Sequence, residues 1–257
     1  MALIAMALYS TEENKKDKCL ARTLSSLSAT VDFTKHRLML SVNGMTDETR
    51  FIIKHFKDII SEVIYNPTNL GTAEAINLCW RKRNPGEHCI KMDDDIVIEQ
   101  PRWIETLEEC IKREPRIGQI GLKRSDCCET TWHPDKNYRS ELLMLPHEAG
   151  QRWLIVEKVR HVMGSCVMHN SDLLDKVGYL RQFGKYGFDD CIMSYRSEIA
   201  GFINCHYSSV VIHHIDEGKT EYQTWKEKYS SEKFPEFYKL VDKLISGEEP
   251  IYYTPFK

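Results

Sequence analysis

The first half of the chain alternates short apolar runs with longer segments in which apolar residues recur every three or four positions. The first pattern is typical of buried strands and the second of amphipathic helices. The predicted strands are "ALIAMALY", "HRLMLSVN", "SEVIYNP", "HCIKMDDD" and "IGQIGLK". The predicted helices between them are "CLARTLSSLSAT", "ETRFIIKHFKDII", "GTAEAINLCWRKR" and "PRWIETLEECIKRE". This alternation predicts a parallel sheet with helices on both faces.

The second half of the chain has a less regular pattern. Strands are predicted within "RWLIVEKVRHVMGSCVMHN" and over "CHYSSVVIHHI". Helices are predicted over "DDCIMSYRSEIAGF" and over "SDLLDKVGYL", where Ser171 is the expected N-cap. The charged, amphipathic segment that begins at Asp216 predicts a C-terminal helical extension.

The composition fits one globular domain. The 257 residues are 42% hydrophobic, which is enough to bury a core, and they show no internal repeat or low-complexity linker. The net charge of -3 gives no overall preference for polyanions. The basic segments "WRKR", "LKR" and "KVRH" could line a groove for a polyanion or could be solvated surface.

The cysteines and the first residues bear on the compartment. The nine cysteines include no CxxC pair, which disfavours a zinc site or a redox dithiol, and Cys127 and Cys128 are interpreted as ordinary loop or core thiols. "MALIAMALYS" has no basic stretch before its short apolar run, so we interpret it as a strand and not as a signal peptide. No segment approaches the ~20 apolar residues that span a bilayer. We therefore expect a soluble, cytoplasmic protein with reduced cysteines and no integral membrane association.

Three consecutive carboxylates, Asp93, Asp94 and Asp95, stand at the end of the fourth predicted strand. They could be a solvated turn, or they could hold a cation. In parallel sheets ligands bind at the carboxyl ends of strands, which favours the second interpretation. Magnesium and manganese prefer carboxylate oxygen and keep open positions for phosphate, so a D-x-D here is suited to a metal-diphosphate site.

Two further groups carry candidate chemistry. Asp189 and Asp190 follow a glycine-rich turn at the start of a predicted helix, where they could cap the helix or act as a general base. His213 and His214 end a late strand close to Asp216, where they could be structural or complete a metal shell.

The polar stretch from residue 123 to residue 150 predicts a long loop or hairpin. Its Trp132 and His133 could stack on and hydrogen-bond to an acceptor. Alternatively, Trp132 packs into a small core of the hairpin itself.

The order of these motifs resembles the inverting nucleotide-sugar glycosyltransferases of family two, which have the GT-A fold. The matching stretches are "LYSTEENKKDKCLARTLSSL", "VNGMTDET", "NLGTAEAIN", "KMDDDIVIEQPRWIETL" and "VMGSCVMHNSDLLDKVGYLRQFGKYGFDDCIMSYRSEIAGF". The resemblance covers residues 4 to about 215. It implies an α/β GT-A (nucleotide-diphospho-sugar transferase, Rossmann-like) fold with a mixed central sheet and the C-terminal helical extension.

The resemblance implies roles for individual residues. Those near the nucleotide would be Tyr9, Thr11, Asn43 and Asn69. Asp93 and Asp95 would hold the metal, manganese or magnesium, together with the sugar diphosphate, and Asp94 lies between them. Asp190 would be the catalytic base, with Asp189 beside it in place of the usual glutamate. Arg196 would steady this acidic pair or a phosphate.

The implied function is transfer of a sugar from a nucleotide-diphospho-sugar to an acceptor hydroxyl with inversion. The expected organisation is a nucleotide-sugar-binding half (1–122), an acceptor-binding half (123–215) and the extension (216–257). The acceptor stays open among a saccharide, a protein and a modified nucleic-acid base. A sugar-phosphate nucleotidyltransferase is a weaker alternative, because "YSTEENKKDK" has no glycine for a phosphate loop. A catalytically silent nucleotide-sugar-binding protein is the other.

Overall fold

The structure is a computed structural model that describes residues 1–126, 141–146, 153–216 and 221–256. The strands in these residues are β1 (Ala2–Tyr9), β2 (Arg37–Gly44), β3 (Glu62–Tyr65), β4 (His88–Met92), β5 (Ile96–Val97), β6 (Ile117–Arg124), β7 (Glu141–Pro146), β8 (Trp153–Val159), β9 (Cys166–His169) and β10 (Ile203–His214). The helices are α1 (Asp17–Thr30), α2 (Asp47–His55), α3 (Thr72–Trp80), α4 (Trp103–Arg113), α5 (Ser171–Val177), α6 (Asp189–Ile199) and α7 (Glu221–Ser246).

The strands form one mixed sheet in the order β3-β2-β1-β4-β9-β6-β10-β8-β7. The strands β3, β2, β1 and β4 are mutually parallel, as the alternating pattern predicts. The strand β9 then runs antiparallel to both β4 and β6, and β8 runs antiparallel to β10. The mixed sheet of the GT-A fold is therefore confirmed.

Burial explains why these segments form strands and helices. Residues 2 to 6 of β1 are fully buried, which fits a strand covered by helices on both faces. In α1 the buried residues Leu20, Leu24 and Leu27 recur at helical spacing and pack into the largest core cluster. Arg22 and Ser25 between them are exposed, so one stripe of the helix anchors it to the sheet.

A short strand pairing places one of the functional residues. The short strand β5, directly after the acidic run, pairs antiparallel with the end of β10, with His214 opposite Ile96 and His213 opposite Val97. This pairing brings the end of β10 beside Asp95.

The expected N-cap of α5 was wrong: Asn170, in extended backbone, accepts a hydrogen bond from the Asp172 amide at 3.1 Å, and Ser171 is the first helical residue.

Candidate active site

A cavity of about 860 Å³ opens where the carboxyl ends of β1 and β2 meet the start of α3. Tyr9, Thr11, Asn43 and Asn69, the four residues predicted near a nucleotide, all line it. Trp225 of α7 also lines the wall, which makes the C-terminal helix part of this cavity. Lys185 and the amino end of α3 at Thr72 provide positive charge and a helix dipole that suit an anionic ligand.

Both ends of the Asn43 side-chain amide bond protein groups. Its Nδ2 donates to the Gly71 carbonyl at 3.1 Å, and its Oδ1 accepts from Asn66 Nδ2 at 3.0 Å and from the Leu70 amide at 3.2 Å. Gly71 has a φ of +83°, and a Cβ there would lie 2.4 Å from the Lys185 carbonyl oxygen. Asn43 therefore shapes the cavity wall by holding a turn that only glycine can make.

Asp95 is 6% exposed and lies in a buried charged cluster. Its Oδ2 accepts from Lys16 Nζ at 2.9 Å and lies 3.4 Å from His214 Nε2. Lys16 also pairs with Asp216, which follows β10. Burial opposes the ionisation of Asp95, but His214 and Lys16 outweigh it and hold the pKa of Asp95 well below its usual range.

The same cluster fits a divalent cation. The other Asp95 oxygen, Oδ1, is buried and has no hydrogen-bond partner among the described residues. An Asp95 oxygen without a hydrogen bond and the nearby His214 nitrogen are together ligands that manganese and magnesium accept. His213 does not share this position, because its Nδ1 lies 3.2 Å from Ser125 Oγ on the other side of the strand.

Asp93 belongs to a second charged cluster, centred on the ammonium of Lys91. This lysine is buried in β4, and its Nζ donates to Asp189 Oδ2 at 2.5 Å. Burial opposes its charge, but Asp189, Asp93 and Asp190 outweigh that effect and raise the pKa of Lys91 above its usual range. The acidic run after β4 and the acidic pair of α6 therefore converge on one cation.

Asp190 lies at the solvent side of this second cluster. Its Oδ2 is 3.3 Å from His161 Nε2 and accepts from the Gly164 amide at 3.2 Å, and its Oδ1 accepts from the Cys191 amide at 2.8 Å. Burial opposes ionisation, but His161 and then Lys91 outweigh it, so the pKa of Asp190 lies well below its usual range. Asp190 is therefore ionised at neutral pH and able to accept a proton.

The same contact favours the charged form of His161. Burial alone would lower the pKa of His161, but the adjacent Asp190 raises it above its ordinary value. Among the described residues, one group of three or more metal-ligating side chains has its ligand atoms within 4.8 Å of one another, and it consists of His161, Asp190 and Cys191. Asp93, Asp95 and His214 are not such a group.

The start of α6 is fixed by a strained residue. Phe188 is the N-cap of α6 and has a φ of +65°, a left-handed conformation that costs a side-chain-bearing residue roughly 1–2 kcal/mol. Its ring is buried and stacks on Phe237 of α7 with ring centroids 4.7 Å apart. Burial of this ring offsets the strain, so α7 holds Asp189 and Asp190 in place.

Arg196 occupies a structural position. Its Nε and Nη1 each donate at 2.7 Å, to the carbonyls of Ile251 and Tyr179, and its Nη2 donates to the Val177 carbonyl. Burial and the nearby Arg181 lower the pKa of Arg196 to about 9. These contacts tie the C-terminal tail to α5 and do not support the predicted contact with the acidic pair.

Sequence reasoning missed Lys16, Lys91 and His161. A lysine inside the apolar run "HCIKM" is a signal that could have identified Lys91, because a buried lysine needs carboxylate partners. Lys16 stands in a polar loop with no such signal. Trp132, His133, Cys127 and Cys128 lie outside the described residues, so their roles stay predictions.

The sheet order, with acidic residues at the carboxyl edge, is that of the GT-A fold. The family model for glycosyl transferase family 2 matches residues 12–178. The chain belongs to glycosyl transferase family 2, which confirms the resemblance found in the sequence.

Solved structures share this fold at low sequence identity. A structure of GalNAc-T7 with UDP, GalNAc and Mn²⁺ has a TM-score of 0.62 and 12% identity over 83% of this chain and 43% of that chain. The mannosyltransferase PcManGT from Pyrobaculum calidifontis, in complex with GDP-Man and Mn²⁺, has a TM-score of 0.61 and 16% identity over 87% and 59%. S. aureus TarS 1-349, in complex with UDP-GlcNAc, has a TM-score of 0.58 and 13% identity over 86% and 62%.

The chain spans 43% to 62% of the length of these three structures. A search of curated proteins gave no significant match. Separately, none of the helices in the described part of the chain has both the length and the apolar character needed to cross a membrane.

Proposed function

We propose that this protein transfers a sugar from a nucleoside-diphosphate sugar to an acceptor hydroxyl with inversion at the anomeric carbon. The observation that carries the proposal is the convergence of two acidic motifs on Lys91. Its Nζ bonds Asp189, 98 residues further along the chain, and lies in the field of Asp93 and Asp190. Inverting transfer needs one acidic group near the donor and a separate carboxylate for the acceptor, and this arrangement supplies both.

In this proposal the cavity holds the donor. Tyr9, Thr11, Asn69 and Trp225 contact its nucleotide, while Lys185 and the amino end of α3 attract its diphosphate. Asp95 and His214 would hold a divalent cation, with Asp93 and Asp94 beside it. When bound, such a cation offsets the negative charge that develops on the departing nucleoside diphosphate. The Mn²⁺ and nucleotides found with the similar structures support this assignment.

Asp190 is the proposed general base. It takes the proton from the acceptor hydroxyl as the oxygen attacks the anomeric carbon, and the bond to the diphosphate breaks on the opposite side. Lys91 fixes Asp189 through their 2.5 Å hydrogen bond, so that Asp190 is the member of the pair that reaches solvent. His161 lies against Asp190 and orients its carboxylate.

The experiment is a donor panel. UDP- and GDP-sugars are incubated with the protein in the presence of either Mn²⁺ or EDTA, and nucleotide release is measured. Because no other acceptor is added, water takes the sugar. We expect release with at least one donor, loss of release with EDTA, and loss of the Mn²⁺-dependent release in folded Asp95→Asn. The exposed Glu99→Gln, on the same stretch, is the matched control and should behave as wild type. Absence of both binding and release with every donor would contradict the proposal.

A further inference from the structure

The ammonium of Lys16 occupies the centre of the cluster assigned above to a divalent cation. Lys16 is 8% exposed, although it lies in the polar loop between β1 and α1. Its Nζ is 2.9 Å from Asp95 Oδ2 and also pairs with Asp216. Its neighbours Lys15 and Lys18 are exposed, so this placement is specific to one lysine of the loop.

The backbone around Lys16 is anchored, so the ammonium is presented at a defined place. Asp17 Oδ1 accepts hydrogen bonds from Ser10 Oγ at 2.7 Å, Thr46 Oγ1 at 2.9 Å and Thr49 Oγ1 at 2.5 Å. These contacts join the loop to the start of α2. A change at the cluster can therefore move the Lys16 side chain while its backbone stays in place.

We propose that Lys16 is a tethered cation that competes with the divalent ion for Asp95. The inference rests on the metal site of the proposed function. In the metal-free protein Lys16 neutralises Asp95 and Asp216, and an incoming divalent ion displaces its ammonium from Asp95.

Charge and geometry carry the competition. An ammonium and a divalent ion on one buried carboxylate repel each other strongly, since little water screens them. The ammonium already takes Asp95 Oδ2, while Oδ1 is without a partner among the described residues. Displacement is therefore the route by which a metal can use both oxygens, and the departing ammonium stays near the anionic donor.

The displaced ammonium of Lys16 can move toward the cavity proposed for the donor. Thr11, Glu13 and Asn14 of the same loop line the cavity proposed for the donor. Because Lys16 follows these residues in the loop, an ammonium released from Asp95 can turn toward this cavity. Metal entry and donor binding are then coupled through one side chain.

The test is the affinity for Mn²⁺ alone, measured by isothermal titration. Lys16→Met keeps the length of the side chain and removes the charge, and it should bind Mn²⁺ at least about tenfold more tightly than wild type, a difference of about 1.4 kcal/mol. Lys18→Met, an exposed position in the first turn of α1, should match wild type. Unchanged or weaker binding by Lys16→Met would overturn the proposal.

A second measurement uses the wild-type protein and does not depend on the folding of the variant. Amine acetylation is followed by peptide mass spectrometry with and without saturating Mn²⁺. We expect Mn²⁺ to raise the labelling rate of Lys16 and to leave that of Lys18 unchanged. Equal or stronger protection of Lys16 with the metal would contradict displacement.

The two measurements also separate this inference from the proposed function. Tight Mn²⁺ binding by Lys16→Met, abolished by adding Asp95→Asn, supports the competition even if no nucleotide sugar turns over. Turnover of a nucleotide sugar by a protein that binds no Mn²⁺, in both the wild type and Lys16→Met, would overturn the competition and leave the transfer function standing.

Discussion

At the scale of single residues, the site depends on a few buried charges that stabilise one another. Asp95 is paired by Lys16 and His214, and Asp189 by Lys91. Removing one member of such a pair leaves the charge of the other buried and uncompensated, which strongly destabilises the folded protein. The charge that looks excessive in "KMDDD" is tolerated because the ammonium of Lys16 bonds Asp95, the ammonium of Lys91 attracts Asp93, and the His214 ring lies against Asp95.

Gly164 leaves the room that the catalytic cluster needs. A Cβ at this position would lie 2.8 Å from Lys91 Nζ and 3.1 Å from Asp190 Oδ2. We therefore expect Gly164→Ala to displace both groups and lower the rate of nucleotide release by at least about tenfold. Gly201→Ala meets no atom within 4 Å; its left-handed backbone (φ +88°) will cost stability, but the rate of the folded protein should be unchanged. Wild-type release by Gly164→Ala would show that these groups tolerate displacement.

Arg196 provides a test of a purely structural role. Arg196→Met leaves the carbonyls of Val177, Tyr179 and Ile251 without their donor and should lower the free energy of unfolding by on the order of 3 kcal/mol. Arg181→Met, which loses a partly exposed pair with Glu249, should cost less than about 1 kcal/mol. Urea unfolding measures both. If Arg196→Met lowers donor affinity without lowering the free energy of unfolding, Arg196 binds a phosphate of the donor and its role is not structural.

At the scale of elements, α7 is part of the site as well as a packing partner of α6. It buries Phe237 against Phe188 at the start of α6 and places Trp225 on the cavity wall. The Trp225 ring stacks on Tyr229 with centroids 5.2 Å apart, and the Tyr229 hydroxyl donates to the Phe183 carbonyl at 2.9 Å. The helix therefore orders both the acidic pair and the cavity.

Trp225→Ala should weaken donor binding about tenfold, because stacking of a base on an aromatic ring contributes about 1–3 kcal/mol. Ile245→Ala, at an exposed position of the same helix, is the control and should leave the affinity unchanged. Isothermal titration with the donor identified by the panel gives the comparison. If Trp225→Ala binds the donor as wild type does, the nucleotide lies elsewhere in the cavity.

The elements were largely predictable from the sequence, whereas the contacts of the site were only partly so. Helical and strand periodicity is a local signal, and it predicted β1 to β4 and α1 to α4 well. The antiparallel course of β9 has no local signal, because pairing partners are chosen by the whole sheet. The pairing of Lys16 with Asp95 joins residues 79 positions apart, and the burial of Arg196 depends on a tail that packs 55 positions later.

At the scale of the whole molecule, buried neutral histidines make stability depend on pH. Burial lowers the pKa of His206 to about 4 and that of His169 to about 3. In the unfolded chain these groups protonate near pH 6.5, whereas the folded protein keeps them neutral. Their contribution to stability is therefore complete above pH 6.5 and is lost as the pH falls toward 4.

We expect the free energy of unfolding to decrease by up to about 1.4 kcal/mol per pH unit for each such histidine in this window. His206→Gln should remove the part of the slope that belongs to His206, which urea unfolding at pH 7, 6, 5 and 4.5 will show. An identical slope in wild type and His206→Gln would mean that His206 is protonated in the folded protein.

In the proposed reaction the Asp190 cluster acts on the acceptor and the Asp95 cluster on the donor. The turnover of Asp190→Asn is the measurement that distinguishes these two roles. Asp190 acts on the acceptor, whereas the donor is bound by the cavity and by the Asp95 cluster. Nucleotide release at saturating donor should therefore fall at least about 100-fold in Asp190→Asn, the usual contribution of a general base. Donor affinity should stay within about threefold of wild type, since a base contributes to the transition state and not to donor binding. Release at the wild-type rate by folded Asp190→Asn would contradict the account.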